Sequence, residues 1–556
     1  MRKSLAFVFA GLIACGGPST GPEGPNGGGG GGGGSKPSGP GDVSFELAPI
    51  EVKGLVFEPE ALGRPGMPLV AAKKKTTIEK QRQLFEKTKN PVEKEAQAAI
   101  LATMLYEQSK TAKEDEQQKL YTDARQVLRD AAQISGEKVD EITLRLLGSY
   151  ELLLGDFAAA EKAWGSLVAK APKDKDIVYN KAWWGYSLLK QYKNAEAVQA
   201  VSPDPVSDKQ PEHAYVTAWA KWRTGDNKGA WDAIVTAAKG WGTNPGREAL
   251  ERDLLLFAGR TDVPLDKAFQ DVMAFSPKGK DQEYELLAKL GLQSYQFAGR
   301  WQDGVKSLDK AVTVIGSKVP PNDLPVIRYQ QADYTVRLDD PVTAAKYAKQ
   351  AVDALPACGS KCTPQDMENV VASVYIMGRL FHILYATAHD DRYYQPAHDL
   401  YQISIPKITL NNQMRAEATK DADILEKTFK AMKAGVGTHD KGALGALINR
   451  HNQEIQACYE QGLAANPKIA GNVVVSLESD QSGKIKGATT EPKAGMADMA
   501  AVAGCVEARV KSWRLPTRAQ AGSTRIKLTY SMSRSAGAPA ASPPPPAKGA
   551  AAPAKK

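Results

Sequence analysis

Little in this chain of 556 residues is suited to covalent or metal chemistry. It has six histidines and five cysteines. His382, His389 and His398 fall near Asp390 and Asp391, but without metal-ligand spacing and among aromatic neighbours. That setting points to packing and helix ends rather than to a ligand set. Eight consecutive glycines, Gly27 to Gly34, have no strand before them and no helix after. A phosphate-binding loop needs both, so it is excluded on context. A nucleophile elbow is also missing. Charge is weak: the net +9 is spread along the chain, so nucleic acid is not an expected partner. The longest apolar run past the N-terminus, Val370 to Thr387, carries Arg379 and His382 in its middle. Both are costly in hydrocarbon, so the run reads as a buried helix. These deficits favour a chain that is not an enzyme and takes no cofactor and no metal.

The first residues are more telling. Arg2 and Lys3 precede the short apolar stretch "SLAFVFAGLIA", which leads into Cys15. Such an n-region and h-region mark a secretory signal, too short to span a bilayer as a mature helix. "LIAC" resembles a bacterial lipobox, which implies lipidation of Cys15; the alternative is a plain signal with an incidental cysteine. Gly16, not Asp, follows Cys15. By the lipoprotein sorting rule this implies the outer membrane, with the protein lipid-anchored on its periplasmic face. Residues 16–44 are Gly/Pro-rich and form a tether with a reach of roughly 30 Å. Residues 45–90 read as an extended lead-in that packs on the body, broken by prolines.

From residue 91 the pattern turns helical, in pairs. "LRLLGSYELLLGDFAAAEKAWGSLVAKAP" places Leu147 and Gly148 in paired apolar and small slots. Gly155 and Asp156 form the turn, and Ala160, Trp164 and Pro172 follow at set offsets. This matches the tetratricopeptide (TPR) repeat pattern. The next unit has Tyr186 and Tyr192 in the aromatic slots and Ala195 in the small slot; Ala230 takes that slot after it. The design repeats around Trp301 and around Ala332, and a weaker copy follows around Tyr393. One such hairpin cannot bury its faces alone, so the units must stack. The expected fold is mainly α: a TPR-like α-solenoid over 91–433, degenerate near 250–280.

After residue 433 the character changes. "ALGALINRHNQEIQACYEQGLAANP" reads as one amphipathic helix. "GNVVVSLESDQSGKIKGATTEP" alternates about an Asp-Gln-Ser-Gly turn, which is a β-hairpin signature. A second helix runs into Trp513, and "STRIKLTYSMS" is a last strand. The order α-β-β-α-β defines a small α+β domain over 440–533. Residues 534–556 are Pro/Ala-rich and expected to be disordered.

"CYEQGL", "NPKIAGNVVVSLESDQSGKI" and "GCVEARVKSW" resemble the AgmX/PglI C-terminal domain, related in layout to the TonB C-terminal domain. The chain as a whole resembles the TPR lipoproteins of adventurous gliding motility. The resemblance implies a scaffold that binds other cell-envelope proteins through its TPR groove and C-terminal domain. The alternatives are a TPR lipoprotein of outer-membrane assembly or polysaccharide export, and an accessory protein of a cell-wall enzyme.

An oxidising compartment favours disulfides among the four remaining cysteines. Cys358 and Cys362 share the turn-like "ACGSKC" and are expected to bridge locally. Cys458 and Cys505, one on each helix of the small domain, are expected to pair. Trp183, Trp184, Trp219 and Trp222 are candidate groove aromatics, with interhelix packing as the competing reading.

Overall fold

The computed structural model describes residues 42–72, 76–276, 279–388, 390–431, 441–492, 499–517 and 521–535. Cys15, residues 16–41 of the tether, His389 and residues 536–556 of the tail lie outside the described residues, whereas Val43 and Ser44 at the tether's end and Arg534 at the tail's start belong to strands.

Two short strands come first, Val43–Glu46 (β1) and Ile50–Gly54 (β2). An irregular stretch leads to Ile78–Lys87 (α1). Helical hairpins follow: Pro91–Ser109 with Glu114–Ser135 (α2, α3), Glu141–Leu153 with Phe157–Lys170 (α4, α5), and Ile177–Leu189 with Asn194–Val201 (α6, α7). Then come Pro211–Arg223 with Asn227–Trp241 (α8, α9) and Arg247–Arg260 with Leu265–Phe275 (α10, α11). In the next hairpin the first helix is Lys280–Lys289 (α12), a π-helical turn Leu290–Tyr295 and Gln296–Ala298 (α13). Its partner is Trp301–Ile315 (α14). Asp323–Arg337 with Pro341–Cys358 (α15, α16), Pro364–Ala388 with Tyr394–Ser404 (α17, α18), and Asn412–Ala431 (α19) complete a TPR-like solenoid. The apolar run inside α17 is mostly buried, with Val374 and Phe381 fully so.

The slots have a steric cause. A Cβ on Gly148 would lie 2.6 Å from the Trp164 indole, so only glycine lets α4 and α5 cross this closely. Asp156 and Asp226 cap α5 and α9 by accepting the backbone N–H three residues on. Ala160 and Ala230, each four residues past those caps, are fully buried. The small slot between them is not Ala195, which is exposed, but Ala197, fully buried. Helix α7 starts later than an even repeat requires, because its cap position is Lys193, and the register moves with it.

The small domain comprises Lys441–Asn449 (α20), Asn452–Ala465 (α21), Gly471–Ser479 (β3), Ile485–Pro492 (β4), Ala500–Lys511 (α22) and Thr524–Arg534 (β5). Sequence periodicity suggests one helix where α20 and α21 stand. The chain breaks at Arg450–His451, and both side chains are committed elsewhere, as described below. Strands β3 and β4 form the expected antiparallel hairpin, and β5 pairs with β3 on its other side. Val473, Val475 and Leu477 alternate inward on β3, facing Cys458, Leu463, Val502 and Val506 of the helix layer.

The sheet is larger than the C-terminal sequence predicts. Strands β1 and β2 both pair parallel with β5, Val43 opposite Thr524 and Gly54 opposite Arg534. They share one lane, broken at Ala48–Pro49, and so cover the β5 edge that the small domain alone would leave open.

Candidate interaction surface

The first helices of the hairpins carry a row of polar and aromatic side chains, and residues 55–70 lie across them. Arg223 on α8 donates to Phe57 O at 2.9 Å and Tyr186 on α6 to Pro59 O at 3.4 Å. Glu58 pairs with Lys190 at 3.1 Å and Arg223 at 3.5 Å and accepts from Tyr192 Oη. Tyr192 has φ +60°, which turns its ring toward this segment. Glu60 pairs with Arg252 of α10 at 2.8 Å. The Phe57 ring meets Trp222 edge-on, with centroids 6.3 Å apart, and the Arg260 guanidinium lies 5.6 Å from its centre. Further along, Gly66 N–H donates to Tyr179 Oη at 2.8 Å and Val70 N–H to Thr103 Oγ1 at 3.1 Å.

The deepest anchor is a relay. Ala61 N–H donates to Tyr215 Oη at 3.1 Å, and that hydroxyl donates to Asp253 Oδ2 at 2.5 Å. Trp219 Nε1 donates to the same oxygen at 3.3 Å. Burial pushes the Asp253 carboxyl up to about 7, although both donors favour its charged form. Gly246, at φ +84°, allows the approach, since a Cβ there would stand 1.9 Å from Ala61 O. Beyond the relay, Gly66, Met67 and Pro68 close one side of a cavity of about 420 Å³; Arg145, Tyr179 and His213 line the other.

The small domain docks on the turns within the hairpins. Asn194, beginning α7, donates to Ala464 O and Ala465 O at 3.3 and 3.2 Å. Arg260, ending α10, pairs with Glu460 of α21. Glu454 of α21 is buried and accepts from Trp301 Nε1 of the solenoid at 2.5 Å and Trp513 Nε1 of its own domain at 3.0 Å. His451 lies 2.7 Å from Glu454 and stacks on Trp513, ring centroids 4.5 Å apart. Burial raises the Glu454 pKa, but His451 and the two indoles outweigh it, so the carboxyl stays below the usual range. Arg450 pairs with Asp333, itself held by Arg337. Burial raises the Asp333 pKa, and the two guanidiniums bring it below the ordinary value. Asp339 faces Arg514 at 3.7 Å, and Thr517 N–H donates to Asp390 at 3.2 Å. These ion pairs explain the break between α20 and α21: it delivers Arg450 and His451 to the docking face.

Several residues singled out in the sequence have other places. With residues 55–62 in place, Trp183, Trp219 and Trp222 are each at most 2% exposed. Their indoles fill gaps between hairpins, as Trp219 shows at 5.5 Å from Phe257. Trp184 is half-buried, its indole against Gly165 of the preceding hairpin. Trp222 also reaches the face, where it meets Phe57, and Trp219 supports the relay at Asp253; Lys190, Arg223, Arg252 and the tyrosines supply the remaining contacts. His382 contacts Tyr401 Oη at 3.1 Å, and His398 stacks on Tyr394. Among the described residues no group of three or more His, Cys, Asp or Glu is arranged to hold a metal ion. Cys358 is bonded to Cys362 and Cys458 to Cys505, with Cα atoms 5.6 Å apart in both pairs.

No family model and no curated protein matches the chain. One solved structure that matches is described as Naa15/Naa10 bound to HypK-THB. The match covers 70% of this chain and 73% of that chain at 11% identity, with a TM-score of 0.13. A score that low supports no argument about this chain.

Proposed function

We propose that this chain is a scaffold of the bacterial cell envelope, lipid-anchored through Cys15 at the periplasmic face of the outer membrane, within a gliding-motility complex. The observation that carries the scaffold part is the solenoid itself. It is a stack of helical hairpins with a second, smaller domain seated along its turns, and stacks of this kind present long surfaces to protein partners. The buried carboxylates Asp253, Asp333 and Glu454 are each engaged by neighbouring donors, which suits a structural role. The anchor and the setting rest on "LIAC", on Gly16 and on the resemblance to gliding-motility lipoproteins. The reading includes no enzymatic activity, no cofactor and no nucleic acid.

Three measurements in the source cell test it. A photo-crosslinking residue at Ile376, an exposed site on α17, is expected to capture a defined envelope protein identified by mass spectrometry. Recovery of no envelope protein contradicts the scaffold reading. Palmitate labelling is expected for the natural chain and lost in Cys15→Ser. Deleting the gene is expected to stop single-cell gliding; normal gliding contradicts the motility setting alone.

A further inference from the structure

We infer that the solenoid face beneath residues 55–62 is a binding site for an extended peptide of another protein, one bearing an aromatic residue followed by carboxylates that flank a proline. Residues 55–62 of this chain fill that site in cis. The inference rests on the scaffold reading above and names the surface and the peptide chemistry.

The contacts are those of a groove holding a peptide. Residues 55–72 form no helix or strand. Their main chain is held by solenoid side chains: Arg223 to Phe57 O, Tyr186 to Pro59 O, Tyr215 from Ala61 N–H. These main-chain bonds carry little side-chain information, so charge specificity lies in Glu58 and Glu60 and apolar specificity in Phe57 and the buried Ala61 and Leu62. Phe57 sits between Trp222 and Arg260. Glu58 meets Lys190, Arg223 and Tyr192, and Glu60 meets Arg252. Two carboxylates thus face several cationic side chains, which sets the sign of the ligand. Proline between the carboxylates keeps the peptide extended and costs little ordering entropy on binding.

The segment is tethered at both ends, by β2 before it and α1 after it. A short tether gives an effective concentration in the millimolar range, so a free peptide competes poorly until the segment is weakened. Its ion pairs are unequal: Glu60 and Arg252 remain 57% and 67% exposed and add little, whereas Glu58 meets a mostly buried Lys190 and a fully buried Arg223. With Ala61 and Leu62 buried against the solenoid, a partner must present the same groups at higher affinity to displace the segment.

The test is fluorescence anisotropy with a labelled peptide of sequence LVFEPEALGRPGMPLV, titrated with the full chain. The Phe57→Ala/Glu58→Gln chain, whose groove is untouched, is expected to bind at least tenfold tighter than the unaltered chain. Binding is expected to fall at least tenfold when both peptide glutamates are glutamine, and several-fold when the opened chain also carries Arg252→Gln. Equal affinity for the native and a scrambled peptide overturns the inference. Should the opened chain not fold, hydrogen exchange on the unaltered chain decides. Millimolar peptide is expected to speed exchange at Ala61 and Gly66 but not within β3; no change overturns it. Crosslinked partners recovered from cells together with no peptide effect would overturn this inference and leave the scaffold reading standing.

Discussion

Arg260 at the end of α10 and Glu460 on α21 form an ion pair between solenoid and small domain, with side chains only 8% and 2% exposed. Burial pulls the Arg260 pKa below its usual value even though Glu460 opposes the shift. Glu460 also accepts Leu55 N–H at 3.1 Å, so the pair touches all three parts of the fold. Removing one member strands a buried charge. Arg260→Ala is expected to destabilise the chain by about 3 kcal/mol in chemical denaturation. The double variant Arg260→Met/Glu460→Leu is expected to recover more than half of that loss. A double variant as unstable as the single one would mean that the pair holds the interface rather than merely being compatible with it.

The Cys458–Cys505 bond joins α21 to α22 across 47 residues. In the chain-entropy account a loop of that length is worth about 4 kcal/mol. The small domain has a limited core, so the loss should be concentrated there. Cys458→Ser/Cys505→Ser is expected to unfold the sheet at lower denaturant while the α2–α9 region keeps its transition. Cys358–Cys362 spans only four residues, and its removal is expected to shift the midpoint far less.

Asp253 gives the fold a pH dependence with a definite sign. Its folded pKa of about 7 lies above the ordinary 3.8. Below the unfolded value both states hold the proton and its stabilising contribution is complete. Between the two values only the folded state holds it, so stability falls as pH rises and levels off above about 7. Asn retains an oxygen for Tyr215 and Trp219 but does not titrate. Asp253→Asn is therefore expected to gain on the natural chain by on the order of 4 kcal/mol between pH 4 and 8. Denaturation curves across that range check it; parallel curves would remove Asp253 from the account.

Gly148 tests the crossing of α4 and α5. Its Cβ position lies 2.6 Å from the Trp164 indole, which is itself fully buried. Gly148→Ala is expected to destabilise by about 1–3 kcal/mol through overpacking, outweighing alanine's better helix propensity. A stabilised variant would show that the indole moves aside freely.

The solenoid was legible because its signals are local. Gly148, Asp156, Ala160 and Trp164 fall within one hairpin, and the same spacing recurs. The misplaced slot at Ala195 arose where the α6–α7 turn carries Tyr192 in a left-handed conformation and no glycine marks the boundary. The β3–β4 hairpin and the two helices of the small domain were equally local. The docking of β1 and β2 on β5 was not: Val43 and Thr524 stand at opposite ends of the chain, and four-residue and five-residue strands carry almost no pattern. The destination of residues 55–70 was hidden for the same reason, since its anchors Tyr186, Tyr215 and Arg252 read as ordinary slot or surface residues. Of the tryptophans that stood out by size, Trp222 meets Phe57 at the face, Trp219 packs on Phe257 between hairpins, and tyrosine, lysine and arginine supply most of the remaining face.

The central claim is that residues 42–72 bind the solenoid face and the β5 edge together, joining two domains into one unit. Hydrogen exchange on the natural chain, against one lacking those residues, tests it most directly. The account predicts faster exchange in β5 over Thr524–Arg534 and in α6 and α8 once the segment is gone, with the β3–β4 pairing unchanged. Identical protection in the two chains would contradict it.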